Sequence, residues 1–259
     1  MTSLSFDDTG GTGPLVVLVP GAGDVRSEHR LVAPLLSSRD MRVVSADLPG
    51  HGDSPVDSSY GVAETAAAII GLIEQLDGGP AVVVGCSFAP AAAGWAASER
   101  PDLVRGVGLI SPHMDEDGGI AATMQGIAIK ALLRGPIAAP VWRRLYQGWY
   151  KSRRPDDLDN ELEKMSAMLS NPDRRRAVRE TLTASRDGLS ERMDRFDLPS
   201  VVVFGTADDH FTDPAAEAER LAQRLGSSIV LVDGAGHYPH VENPEQVATA
   251  IADLVIGSS

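Results

Sequence analysis

The sequence predicts an α/β fold, with a doubly wound, mostly parallel sheet and a helical insertion. Two observations support this. Short, almost continuously apolar runs alternate with segments that carry apolar residues at helical spacing, which is typical of buried parallel strands connected by helices. The alternation stops between residues 113 and 195, where no strand-like run occurs, and then resumes.

Six short runs rich in valine, isoleucine or leucine have the composition of central strands, which are apolar on both sides because helices cover both faces of the sheet. In chain order they are residues 14–19, 41–46, 81–84, 106–110, 200–204 and 228–232. Helical spacing predicts helices over 27–38, 62–76, 89–99, 214–225 and 244–256. Strand–helix–strand units of this length imply parallel neighbours in the sheet.

The segment 113–195 is predicted to be helical, with helices near 119–134, 137–150, 156–170 and 173–186. Its charge also differs, because it holds 15 basic and 13 acidic residues while the rest of the chain holds 8 and 23. We therefore expect a core domain made of residues 1–112 and 196–259, with residues 113–195 inserted as a separate helical layer.

Amino-acid composition and net charge exclude several classes of binding partner. Hydrophobic residues make up 43% of the 259-residue chain, which argues against disorder and allows a sizeable core. The formal net charge of −13 would repel phosphate backbones and anionic lipid, so neither a nucleic-acid nor a membrane partner is expected.

The same sequence indicates a cytoplasmic location. The first fourteen residues carry no basic side chain, and the apolar run 15–19 is too short for a signal peptide or a membrane span. Cys86 is the only cysteine, so no internal disulfide can form, which fits a reducing compartment.

A candidate nucleophile, Ser87, follows the predicted strand 81–84 and precedes a predicted helix. A serine at a sharp strand-to-helix turn has a strained backbone, and the small residues Gly85 and Ala89 let strand and helix approach closely. The backbone N–H of Phe88 would then point to where an oxyanion forms. Cys86 is expected to be buried and unreactive.

Ser87 needs a base within hydrogen-bond reach. His237 stands on a glycine-flanked loop after the last predicted strand, where its ring is free to turn into a cleft. A carboxylate following strand 200–204 can orient and stabilise that imidazole. Asp208 and Asp209 both follow that strand, and Asp208, three residues after Gly205, is the preferred candidate.

These motifs together resemble the α/β-hydrolase superfamily, in the branch with a helical cap. The resemblance covers nearly the whole chain and is weakest in 113–195. Three further stretches carry it: Asp47-Leu-Pro-Gly-His-Gly-Asp-Ser54, Gly205-Thr-Ala-Asp208, and Gly236-His237 followed by Glu242 and Pro244. The resemblance implies a second oxyanion donor, the backbone N–H of Ala22. It also implies a structural role for His51. The segment with Ala22 departs from the family pattern, because Pro20 stands where the family usually has histidine.

The resemblance also implies that the cap roofs the substrate pocket. His113, Met114 and Trp142 are the candidate substrate-binding residues, and their apolar company favours an ester with an apolar acyl or alcohol part. We expect no metal or cofactor, because the histidines show no metal-ligand spacing and no glycine pattern forms a phosphate cradle. His29, His210 and His240 receive no role.

The predicted function is therefore hydrolysis of a small-molecule carboxylic ester, thioester or lactone by Ser87, His237 and Asp208. Fold and triad leave two alternatives open. The same residues can serve a carbon–carbon bond hydrolase, a lyase or a cofactor-free peroxidase, or the pocket can bind a small ligand without catalysis. The oligomeric state is also open.

Overall fold

The fold is built on one seven-stranded sheet. The structure is a computed structural model, and it describes residues 3–114, 131, 133, 135 and 137–258. The strands are β1 Phe6–Asp8, β2 Leu15–Val19, β3 Arg42–Ala46, β4 Ala81–Cys86, β5 Val104–Ile110, β6 Ser200–Gly205 and β7 Ser228–Val232. Their order across the sheet is β1-β3-β2-β4-β5-β6-β7, and every pair is parallel except β1 with β3.

The six predicted strands are confirmed, with small changes at their ends. The edge strand β1 was missed, and it pairs antiparallel with β3 so that Phe6 lies opposite Ala46. Two of its three residues are exposed aspartates. An edge strand needs no apolar run because only one of its sides joins the sheet, so the hydrophobic pattern could not reveal it.

The helices of the two terminal parts of the chain largely match the predicted ones. They are α1 Ala33–Ser37, α2 Val62–Leu76, α3 Ala89–Glu99, α8 Pro214–Leu225, α9 Pro239–Glu242 and α10 Pro244–Gly257. The predicted helix 27–38 is wrong as a single helix, because a 3₁₀ turn, Arg26–His29, precedes the short α1. Pro34 lies in the first turn of α1, where proline is tolerated, whereas inside a longer helix it would remove a hydrogen bond.

Between β5 and β6 the described elements are helices: α4 Ala138–Gly148, α5 Leu158–Ser170, α6 Pro172–Leu182 and α7 Leu189–Met193. Three of them lie close to predicted helices, and the short α7 was missed. The predicted helix 119–134 lies outside the described residues. The division into a core of 1–112 and 196–259 and an insertion of 113–195 stays a prediction.

The core lies on both faces of the sheet, as a doubly wound fold requires. Side chains alternate along each strand, so that Val83 packs into one cluster and Val82 and Val84 into the other. Helices α2, α3 and α8 cover the first face, while α1 and α10, with parts of α4 and α5, cover the second. No helix in the described parts of the chain is long and apolar enough to cross a membrane.

The loop after β3 is held by its own polar groups. Asp47 accepts hydrogen bonds from the backbone N–H groups of Arg26 and Asp53, and it forms an ion pair with the Arg26 side chain. His51 is completely buried, with Nδ1 3.0 Å from the Pro49 carbonyl oxygen. Burial lowers the pKa of His51 to about 4, although the contact with Pro49 opposes that shift.

We expect His51 to make the stability of the protein depend on pH. In the unfolded chain its pKa returns to about 6.5, so below that pH only the unfolded state gains a proton. The stabilisation is complete above pH 6.5 and is lost as the pH falls towards 4. Urea unfolding of wild type and His51→Gln at several pH values measures this effect.

Between pH 7 and pH 4 the wild type should lose about 2–3 kcal/mol more unfolding free energy than His51→Gln. The other titrating groups are common to both proteins and cancel in the comparison. Equal losses would show that His51 titrates alike in the folded and unfolded states.

Candidate active site

Ser87 lies at the sharp turn between β4 and α3. Its φ is +58°, in the left-handed region that side chains rarely adopt, and its N–H donates to the Ile110 carbonyl oxygen at 2.9 Å. A Cβ added at Gly85 would lie 2.6 Å from the backbone of Ala89 and Pro90, so only glycine fits two residues before the serine. The structure therefore places Ser87 on the strained turn that the sequence pattern predicts, while Cys86 beside it is fully buried.

His237 and Asp208 meet on neighbouring loops, after β7 and β6. His237 Nδ1 lies 2.9 Å from Asp208 Oδ2, and both side chains are buried. The other carboxylate oxygen accepts the backbone N–H of His210 at 3.1 Å. Burial opposes the charge on Asp208, but its hydrogen bond and electrostatic interaction with His237 hold its pKa below the usual range. Asp208 can therefore fix the imidazole with Nε2 turned outward.

Asp209, the competing carboxylate, lies in a different environment. Its side chain is 60% exposed and pairs with Lys151 Nζ at 2.7 Å. No contact between Asp209 and His237 is present, so the geometry favours Asp208 as the partner of the imidazole.

Ala22 lies in a tight turn after β2. Gly21 accepts the N–H of Asp24 at 3.2 Å and Gly23 has φ +88°, which together make a type II turn with Ala22 and Gly23 at its centre. A Cβ added at Gly21 would lie 3.2 Å from the Ser87 Cβ, so the turn closely approaches the serine. Neither Ala22 nor Phe88 donates its backbone N–H to another described residue, which leaves both available for an oxyanion.

Two further histidines surround His237. The ring centroid of His210 is 3.9 Å from that of His237, and the centroid of His113 is 5.6 Å away. His113 also donates its backbone N–H to the Ser87 carbonyl oxygen at 2.9 Å. Burial and the neighbouring imidazoles lower the pKa of His210 to about 4 and that of His113 well below its usual range, so both rings are neutral at pH 7.

His210 had no predicted role. The position of His210 two residues after Asp208 is a local signal, but the contact of its ring with that of His237 depends on loops that meet only in the fold. The ring nitrogens of His113, His210 and His237 lie within 4.8 Å of one another and can together offer nitrogen ligands to a cation such as zinc. A metal bound there would occupy His237 itself. Ligand spacing along the chain could not reveal this set, because its members come from three separate loops.

The predicted substrate-binding residues occupy different environments. Trp142 packs on the turn that carries Ala22, so that a Cβ added at Gly23 would lie 2.3 Å from its ring. Met114 is buried in the same hydrophobic cluster as Phe88. Trp149, which was not among the candidates, makes edge contacts with Trp142 and His210, at centroid distances of 5.4 and 5.0 Å.

Comparison with known proteins agrees with this architecture. A family model described as "Alpha/beta hydrolase family" matches residues 16–250. A pimeloyl-(acyl-carrier protein) methyl ester esterase from Neisseria meningitidis serogroup B is 30% identical over 250 residues, 93% of each chain. Lipase LipV from Mycobacterium tuberculosis is 30% identical over 86% of this chain and 85% of its own. A solved structure of a thermophilic esterase from Thermogutta terrifontis is 25% identical, with a TM-score of 0.77, over 98% of this chain and 93% of that one.

The two aspartates make a matched pair for testing the site. Asp208→Asn should slow the modification of Ser87 by a fluorophosphonate by roughly 10³–10⁴-fold, because an amide can hold the wrong imidazole tautomer. Asp209→Asn removes only an exposed ion pair and should leave the rate within about twofold. Mass spectrometry of the labelled Ser87 peptide measures both rates, and equal slowing by the two variants would contradict the assignment of Asp208.

Proposed function

The chain belongs to the alpha/beta hydrolase family, and we propose that it is a serine hydrolase that cleaves a small-molecule carboxylic ester, thioester or lactone. The observation that carries this proposal is the 2.9 Å contact between His237 and the buried Asp208. His113 links this pair to the strained turn of Ser87, because its N–H donates to the Ser87 carbonyl oxygen and its ring centroid lies 5.6 Å from that of His237. The names of the similar esterases and lipase support an ester bond as the target.

The proposed reaction begins when Ser87 Oγ attacks the carbonyl carbon of the substrate while His237 Nε2 takes the hydroxyl proton. Asp208 stabilises the resulting imidazolium through Nδ1. The backbone N–H groups of Ala22 and Phe88 hold the negatively charged oxygen of the tetrahedral intermediate, an arrangement in which one donor is worth about 3–4 kcal/mol.

Collapse of the intermediate breaks the bond to the leaving group, which receives the proton from His237 and departs. The acyl group then remains on Ser87. A water molecule attacks it by the same route, with His237 as the base, and releases the carboxylic acid. Because His113 and His210 are neutral, neither adds a positive charge that would oppose protonation of His237.

Aromatic side chains on α4 and just after it indicate what the pocket accepts. The Trp142 ring packs on the turn of Ala22, and the Trp149 ring makes an edge contact with His237. The backbone carbonyl oxygen of Trp149 also accepts the N–H of His237 at 3.0 Å. We propose that the inserted segment 113–195 forms a cap over the site and that the substrate has an apolar acyl or alcohol part. His113, Met114 and Trp142 belong to this proposal as substrate-binding residues, as does the cytoplasmic location.

Hydrolysis of p-nitrophenyl esters of increasing acyl length tests the function. The wild type should hydrolyse them with a preference among acyl lengths, and Ser87→Ala should lower kcat/KM by at least about 10³-fold, because it removes the nucleophile. Ser98→Ala, which changes an exposed serine in α3, is the matched control and should retain full activity.

Activity that survives in Ser87→Ala would rule out an acyl-enzyme on this serine. A wild type that hydrolyses none of the esters, although a fluorophosphonate labels Ser87, would point to carbon–carbon bond chemistry. Absence of both activity and labelling would favour the ligand-binding alternative.

A further inference from the structure

A group of buried ionisable side chains lies behind the turn that carries Ala22. It comprises Glu28 and His29 from the 3₁₀ turn, together with His240 from α9. All three side chains are completely buried. A buried carboxylate is unfavourable unless it is paired and hydrogen-bonded, so the contacts of Glu28 should explain its presence.

One carboxylate oxygen of Glu28 holds the turn itself. Glu28 Oε2 accepts the backbone N–H of Gly21 at 2.8 Å. This bond gives the N–H of Gly21 an acceptor in the buried group. The next amide, that of Ala22, is left without a described partner beside Ser87. The orientation of the proposed oxyanion donor therefore depends on the peptide that Glu28 holds.

The other oxygen of Glu28 faces the loop that carries the base. Glu28 Oε1 lies 3.0 Å from His240 Nε2, close enough for an ion pair although the angle is not that of a good hydrogen bond. A carboxylate so near to a ring nitrogen requires a proton on that nitrogen, since two lone pairs would repel. His240 stands three residues after His237, so the pair connects the turn of Ala22 to the loop of the catalytic histidine.

Glu28 also lies beside Cys86, whose Sγ is within 4.8 Å of a carboxylate oxygen, and it has a looser contact with His29. His29 Nε2 lies 3.8 Å from Glu28 Oε1, and its ring packs on that of His240 with centroids 5.0 Å apart. Burial disfavours the charge of Glu28, but His240 and His29 bring its pKa down to about 2, so the carboxylate is ionised at neutral pH. His29 does not contact Gly21 and can serve as a control.

We propose that Glu28 and His240 act as positioning residues, which hold the Gly21 peptide so that the Ala22 N–H points at the oxyanion. His240 contacts the other oxygen of Glu28, and it ties the two loops to a common point. The inference rests on the proposed function, because an oxyanion arises only if Ser87 attacks a carbonyl group. It adds two residues that make no contact with the reacting atoms.

Glu28→Met provides the sharpest test. Methionine has a similar length and no hydrogen-bond acceptor of comparable strength. Because removing one member of a buried pair destabilises a protein, thermal unfolding of the variant is measured first, and kinetics are compared at a temperature where it is fully folded. We expect kcat for the best p-nitrophenyl ester to fall about 10²-fold, as when one oxyanion donor is lost, while KM changes less than about threefold. His240→Ala should also lower kcat, because it leaves the carboxylate without its partner.

Glu28→Gln is the matched rescue variant, since its amide oxygen can still accept the Gly21 N–H, and its kcat should lie within about tenfold of wild type. His29→Gln disturbs the same buried group without touching the turn and should keep wild-type kcat. A rise in KM at constant kcat for Glu28→Met, or an equal loss of kcat in His29→Gln, would overturn the proposal.

Amide hydrogen exchange in the peptide covering residues 20–24 separates this inference from the proposed function. Exchange at Gly21 should be faster in Glu28→Met than in wild type and Glu28→Gln, whether or not the protein hydrolyses esters. Unchanged exchange would show that Glu28 does not hold the turn. If the proposed function is wrong, the failure appears elsewhere: ester hydrolysis by the wild type is absent or persists in Ser87→Ala.

Discussion

Buried carboxylates hold the loops at the carboxyl-terminal edge of the sheet. These loops are irregular yet largely buried, so their backbone N–H groups must find acceptors inside the protein. Glu242 Oε1 accepts the N–H of Gly236 at 2.6 Å, and Oε2 accepts three successive N–H groups, those of residues 151–153, at 2.6–3.1 Å. One side chain thereby connects the loop of His237 to the segment that follows α4. Glu28 and Asp208 hold the turn of Gly21 and the start of the His210 loop in the same way.

The helix α4, between β5 and β6, is tied to the turn of Ala22 in the same way. Tyr146 on α4 donates its hydroxyl to Asp24 Oδ2 at 2.7 Å, directly after the turn of Ala22, and Trp142 packs on the same turn. A hydrogen bond inside a protein typically contributes about 0.5–1.5 kcal/mol, so α4 and the turn of Ala22 stabilise each other. A residue change on α4 can therefore alter both the shape of the pocket and the position of the donor.

The electrostatics of the site follow from the same burial. Asp208 keeps its charge because His237 and a backbone N–H bind it, whereas His113 and His210 stay neutral. The negative charge of Asp208 then lies beside His237, the imidazole that is protonated in the proposed mechanism. The neutral rings lie against His237 and lower the polarity of its surroundings, which strengthens the electrostatic interaction between His237 and Asp208.

The amino-acid sequence by itself determined the parallel sheet and the loops that bear Ser87, Asp208 and His237. Strand periodicity and the glycine requirement at position 85 are local properties, and parallel strands bring their carboxyl ends to one edge. Only the tertiary structure showed Asp208 against His237 and Asp209 at the surface with Lys151. It also gave Glu28 and His240 a shared position behind Gly21, and it brought the ring centroid of His210 to 3.9 Å from that of His237. The partners in these contacts lie on different loops or at opposite ends of the chain. Contacts between distant segments leave no periodic pattern in the sequence, because they depend on where folding places each loop.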